Sequence, residues 1–148
     1  MMALNELADT TTVVHPGRPV PWKRTGGSGK RRYTDPRYRQ WKTEFQWAAK
    51  LAHQQPVFTT PVAVVLFVAT DGVIAQVTPI REWAGMASPY IGDRPKHVRG
   101  DLDNYCKAVG DALQTVVVKD DRLVSLWFAQ WVDSISDVLD VPKHGNAT

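Results

Sequence analysis

Five aspartates and two lysines fall within residues 101–121, and their spacing is where this sequence could do chemistry. Asp101 and Asp103 stand two residues apart. Asp103, Lys107 and Asp111 follow at i, i+4 and i+8, so on a helix they share one face. Asp120 and Asp121 come after a connecting stretch and reach the others only through tertiary folding. Three carboxylates gathered at one point repel one another unless a hard cation sits between them. Mg²⁺ takes oxygen ligands, retains several waters and bridges to phosphate oxygens. Such a centre polarises a phosphodiester, lowers the pKa of an attacking water and stabilises the leaving oxygen. A lysine beside it neutralises charge that develops in the transition state.

Taken singly, each piece has an ordinary account. Asp101 or Asp103 caps a helix. Lys107 and Asp111 form a surface pair, and Asp120-Asp121 makes a turn. Two other motifs fail on position. An EF-hand loop begins Asp-x-Asp but needs glycine at its sixth position, where Cys106 stands. A Walker A loop ending in Gly29-Lys30 needs glycine where Arg24 stands, and Ser or Thr where Arg31 stands. His15, His53, His97 and His144 show no ligand spacing and are expected at the surface or in the core. The single cysteine, Cys106, excludes an internal disulfide framework and a Cys-based zinc site.

The elements that position these residues are legible in outline. Thr11 to His15 is β-branched and reads as a strand. Asp35-Pro36 is a helix start, with Asp35 as N-cap and Pro36 in the first turn. Trp41, Phe45, Ala48, Ala49 and Ala52 then recur at helical spacing, up to Gln54 or Gln55 before Pro56. Val62 to Ala69 is an unbroken apolar run, as in a strand buried on both faces. Val73 to Val77 reads as a short strand. Residues 79–95 carry repeated Pro and Gly, within a long irregular stretch of the functional kind. The second helix runs from Leu102 or Asp103 to Val116, on an apolar stripe of Leu102, Cys106, Val109, Leu113 and Val116. Leu123 to Val132 is a further strand, and Asp137 to Val141 a short last one. The fold class is α+β, a small mixed sheet with two main helices packed against it. We expect a leader at 1–10, one domain over 11–141 and a tail at 142–148.

Charge is unevenly placed. Residues 18–50 hold ten basic side chains against Asp35 and Glu44, a net of +8 in a chain of +3. Residues 101–121 carry −3. A basic region suited to a polyanion beside a compact acidic cluster is the layout of a metal-dependent nucleic-acid enzyme. The chain of 148 residues is 43% hydrophobic and 22% charged, as in a globular domain. No apolar run reaches the ~18 residues of a membrane span. With no secretory signal pattern and one cysteine, a reducing cytoplasm is expected.

The series Asp101-Leu102-Asp103-Asn104, Lys107, Asp111-Ala112-Leu113, Asp120-Asp121 closely resembles the RusA family of Holliday junction resolvases. Pro16-Gly17-Arg18-Pro19-Val20-Pro21 through Arg24, and Tyr33-Thr34-Asp35-Pro36, look similar to that family too. The resemblance covers residues 11–133. It implies a catalytic set of Asp101, Asp103, Lys107 and Asp121, with Asp101, Asp103 and Asp121 as metal ligands. The connection from Leu113 to Asp120 is slightly shorter than in the family pattern, so Asp120 also stands as a candidate ligand. The resemblance further implies a Mg²⁺-dependent homodimer, with Mn²⁺ as a substitute, that nicks two opposed strands of a four-way DNA junction. Arg24, Lys30, Arg31, Arg32 and Arg99 are the candidate DNA contacts. A bacterial cytoplasm, with a phage or prophage source, is in keeping.

Two other readings compete. One is a non-catalytic DNA-binding module whose basic N-terminal region contacts phosphates while the aspartates only cap a helix. The other is a phosphohydrolase acting on nucleotides, which the basic excess disfavours. For any DNA-binding reading, removing Lys30, Arg31 and Arg32 together lowers affinity without changing sequence preference. The slope of log affinity against log salt then flattens by about 0.9 for every phosphate that is no longer neutralised. Titration at several salt concentrations checks this, and an unchanged slope would show that these side chains do not meet DNA.

Overall fold

Val62–Ala69 (β2) is buried at all of its eight positions, and the rest of the fold is arranged to cover it. The structure is a computed structural model that describes residues 9–22, 35–83 and 100–139. Arg24, Lys30, Arg31, Arg32 and Arg99 lie outside the described residues, as do 1–8, 84–99 and 140–148. Thr11–Pro16 (β1), Gly72–Pro79 (β3) and Val124–Trp131 (β4) complete a sheet of order β1-β3-β2-β4. β3 pairs antiparallel with both β1 and β2, and β4 lies parallel to β2. The sheet is therefore mixed, and with its helices the fold is α+β, as the sequence predicts.

Side chains alternate along β2. Val62, Val64, Leu66 and Val68 enter a cluster with Trp41 and Phe45 of Pro36–Ala52 (α1) and with Tyr105, Val109 and Leu113 of Leu102–Leu113 (α2). Val65, Phe67 and Ala69 enter a second cluster with Ile135 and Val138 of Ile135–Leu139 (α3). Cover on both faces is why the run contains no polar residue.

α1 starts where its cap requires. The Asp35 carboxylate accepts a hydrogen bond from the Arg37 N–H at 2.8 Å, and Pro36 follows in the first turn. Its buried face is Tyr38, Trp41, Phe45 and Ala49, and the helix ends at Ala52, slightly before Gln54. Two histidines are structural. His15 sits edge-on to Trp41 and Phe45. His53 bridges the Thr11 hydroxyl, at 2.7 Å, and the Pro56 carbonyl, at 3.0 Å.

Three expectations need correction. β3 extends to 72–79, beyond the Val73 to Val77 strand read from sequence, because it pairs along its whole length with β2 and from Gly72 to Val77 with β1. α2 stops at Leu113, not Val116. Val117 and Val118 leave the helix to be buried, with the Phe58 N–H on the Val117 carbonyl at 2.8 Å and the Lys119 N–H on the Phe58 carbonyl at 2.9 Å. Three consecutive β-branched valines lose little by leaving a helix. The segment from Asp137 is not a strand; residues 135–139 form α3. Ile135 and Val138, three apart, share its buried side.

The turn after β2 holds α3. One Asp71 carboxylate oxygen accepts from the Ser134 hydroxyl at 2.6 Å, the other from the Ile135 N–H at 3.0 Å. Gly72 leaves room for Ile135, whose Cδ1 would lie 2.8 Å from any Cβ there. Burial works to raise the Asp71 pKa, but hydrogen bonds from Ser134, from Ile135 and from its own backbone outweigh it and hold it below 3.8. Asp71→Ala should cost about 1 kcal/mol, the usual worth of such a cap at a largely exposed carboxylate. Because the folded pKa is depressed, the loss is present above the ordinary carboxylate value and fades as pH falls through the folded one. Urea unfolding of both proteins near neutrality and in strong acid measures it; an equal gap at both would contradict this account.

Candidate active site

α2 is set against the sheet so that one side of it is fully used. Tyr105, Ala108, Val109, Ala112 and Leu113 are buried. Leu102 and Cys106 are only partly buried, so the seated face is turned toward Tyr105, Ala108 and Ala112 from the stripe read in the sequence. The remaining face carries Asp103, Lys107 and Asp111, one turn apart. Lys107 Nζ is 3.6 Å from Asp103 Oδ2.

The helix begins after Gly100, whose φ of +88° suits glycine. Asp101 occupies the N-cap, and its carbonyl accepts from the Asn104 and Tyr105 N–H groups at 2.9 and 3.3 Å. Its side chain makes no capping hydrogen bond. The capping account of Asp101 therefore holds for the backbone and not for the carboxylate.

A cavity of about 430 Å³ opens beside this face. α2 contributes Asp103, Cys106, Lys107, Gly110 and Asp111 to it; Asp121 and Trp127 approach from the β4 side, and Trp22 from the N-terminal segment. Of the residues singled out from sequence, Asp103, Lys107, Asp111 and Asp121 share this cavity. Asp101 and Asp120 do not line it. Asp120 instead turns to Arg122, accepting from its backbone N–H at 2.9 Å and its guanidinium at 3.0 Å. Those hydrogen bonds hold the Asp120 pKa down to about 2. Asp121 moves the other way: burial raises its pKa, and the neighbouring Asp120 and Asp111 add to the rise.

Sequence reasoning missed four contributors. Tyr38 donates its hydroxyl to Asp111 Oδ2 at 2.8 Å, linking α1 to α2. Burial, then this hydrogen bond, push the Tyr38 pKa well above its ordinary value, so it remains a donor. Gly110 lines the cavity beside Trp127, whose ring lies 3.4 Å from where a Cβ would stand, an ordinary van der Waals contact. Trp22 lies beneath Lys107, its ring centroid 4.7 Å from Nζ. An ammonium over an exposed aromatic face is worth about 0.5–1 kcal/mol. That is at least as much as the ~0.3–0.5 kcal/mol of an exposed i, i+4 ion pair such as Lys107–Asp103. Six tryptophans, many for a chain of 148 residues, were the one sequence signal for Trp22 and Trp127. Tyr38 and Gly110 carried none.

The donors facing the cavity are hard. Burial, and then the Asp103 charge, push the Cys106 thiol up to about 11, so it stays protonated and offers neither a soft ligand nor a nucleophile near neutral pH. Carboxylate oxygens in a space large enough for a hydrated ion suit Mg²⁺ or Mn²⁺. Among the described residues no three His, Cys, Asp or Glu side chains converge into a ready cage. Such an ion would be held by few carboxylates with its own waters completing the shell.

A protein-family model described as endodeoxyribonuclease RusA matches residues 16–137 of the chain. No curated protein matches it.

Tyr38→Phe removes the only donor other than water that the structure gives Asp111 among the described residues. A hydrogen bond to a charged acceptor is worth about 1.5–3 kcal/mol when buried; here, part-buried, we expect a loss of about 1 kcal/mol in the urea unfolding free energy. No loss would show that water replaces the phenol freely.

Proposed function

Because the chain belongs to the RusA endodeoxyribonuclease family, we propose that it cleaves four-way DNA junctions by Mg²⁺-dependent hydrolysis of one phosphodiester in each of two opposed strands. The observation that carries this reading is the shared cavity: Asp103 and Lys107 from one helix and Asp121 from across the connection face one space. Asp103 and Asp121 would hold the cation from the cavity walls, and Asp101 from the helix start. When bound, the ion supplies Lewis-acid polarisation of the phosphate and a more acidic attacking water.

The chain's own residues do the rest. Arg122 engages Asp120, and Asp121 is the one of the pair that faces the cavity. Tyr38 fixes one oxygen of Asp111 and so limits how that carboxylate turns toward Asp121. Lys107 is the basic side chain that lines the cavity among the described residues, and it is assigned to the negative charge that grows on the phosphoryl oxygens. The basic 18–50 region supplies phosphate contacts along the arms. Two identical sites are needed for two equivalent strands, so we propose a C₂ homodimer. Branched DNA is the partner. No helix among the described residues is long and apolar enough to cross a membrane.

Asp101→Asn, Asp103→Asn and Asp121→Asn should each abolish cleavage of labelled junction in Mg²⁺ while retaining junction binding in a gel shift. An amide keeps the shape but loses the charge that holds the cation. Lys107→Ala should lower turnover at saturating junction by roughly 10² to 10³, the effect of losing a preorganised charge in the transition state. Cleavage that persists in EDTA, or in all three Asn variants, would remove the metal assignment. Binding without any cleavage would favour a DNA-binding module. Sedimentation at micromolar concentration should give a dimer; a monomer both free and on junction would contradict paired nicking.

A further inference from the structure

We propose that Trp22 is a positioning residue for Lys107, its indole face holding the ammonium over the cavity and keeping its ion pair with Asp103 loose, at 3.6 Å. The inference rests on the reading of Lys107 as the residue that meets the phosphoryl charge. Lysine has a flexible four-carbon stem, and nothing intrinsic to it selects one direction. Lys107 has two attractions within reach: Asp103 Oδ2 at 3.6 Å and the Trp22 ring centroid at 4.7 Å. Full pairing with Asp103 would occupy the carboxylate and spend the lysine's charge on it. An aromatic face attracts the cation through its quadrupole and offers no ionised group in return. The ammonium thus keeps its charge for an incoming anion, and Asp103 keeps an oxygen for a cation.

Trp22 is itself anchored to the helix that carries Lys107. Its backbone N–H donates to the Asn104 carbonyl at 3.1 Å, in the first turn of α2. Pro21 packs against Gly100 so closely that a Cβ there would stand 3.1 Å from Pro21 Cγ. The indole and Lys107 are therefore referenced to the same turn, and movement of the helix does not separate them. The chain holds a second lysine-over-indole contact, Lys50 above Trp47 at 5.6 Å. It lies on the outer face of α1, and neither residue lines the cavity.

The test is a kinetic cycle on four-way junction in Mg²⁺, with wild type, Trp22→Leu, Trp22→Phe, Lys107→Ala and the Trp22→Leu/Lys107→Ala double variant. We expect Trp22→Leu to lower kcat about two- to fivefold with little change in KM, the rate equivalent of an exposed cation–π contact. Trp22→Phe recovers most of it. In the Lys107→Ala background Trp22→Leu costs nothing further. An equal loss in both backgrounds would overturn the proposal and make Trp22 a DNA contact or a packing residue. A second measurement does not depend on activity. After reductive ¹³C-methylation, which keeps the charge, the Lys107 methyl signal should lie upfield of the other lysines and return to them in Trp22→Leu. A Lys107 signal already among the others in wild type would overturn the contact itself. If the wild type cleaves nothing, the function reading fails, and the methyl signal still decides whether Trp22 holds Lys107.

Discussion

The seating of α2 on the sheet is the constraint from which the site follows. Tyr105, Val109, Ala112 and Leu113 must be buried against β2 and β4, and a helix has only one rotation that buries them together. That rotation points Asp103, Lys107 and Asp111 away from the core at one-turn intervals. Burial of four apolar side chains, each worth ~1.5–3 kcal/mol when large, far outweighs what any exposed ion pair could contribute to the orientation. The acids are placed by hydrophobic contact and not by one another.

Packing then brings charge closer than charge alone would allow. Asp111 and Asp121 approach from different elements, and Asp120 stands beside Asp121. The acids other than Asp121 have partners: Tyr38 donates to Asp111, Arg122 takes Asp120, and Lys107 lies near Asp103. What remains is a raised pKa at Asp121, the direction expected when like charges are held together by a scaffold whose stability comes from elsewhere. Residual repulsion of this kind lends itself to cation binding and adds little to folding.

The cavity also depends on aromatic side chains at its rim. Trp127 lies against Gly110 on one side, and Trp22 under Lys107 on the other. Glycine in the interior of a helix costs about 1 kcal/mol relative to alanine. Gly110 carries that cost although a Cβ there would meet the Trp127 ring at an ordinary 3.4 Å. Trp22 arrives at the end of a proline-rich segment whose extended path brings it to the first turn of α2.

Much was decided by local sequence. The unbroken apolar run Val62–Ala69 reads as a strand covered on both faces, Asp35-Pro36 reads as a helix start, and the i, i+4, i+8 spacing placed Asp103, Lys107 and Asp111 on one side of theirs. These are short-range properties of backbone periodicity and capping, and they need no partner to be read. The small helix at Ile135–Leu139 was not legible, because five residues carry too little periodicity to oppose a β-branched composition. Nor was the end of α2 at Leu113, since Val117 and Val118 leave it for a pairing with Phe58 that lies far away in the chain. The choice between Asp120 and Asp121 was left open by adjacent identical residues; the Arg122 hydrogen bonds and the turn of the chain determine which one faces the cavity. Tyr38 on Asp111 and Trp22 on Lys107 join segments with no common sequence pattern. Contacts of that kind exist only after the helices have packed on the sheet, and so only the tertiary structure could supply them.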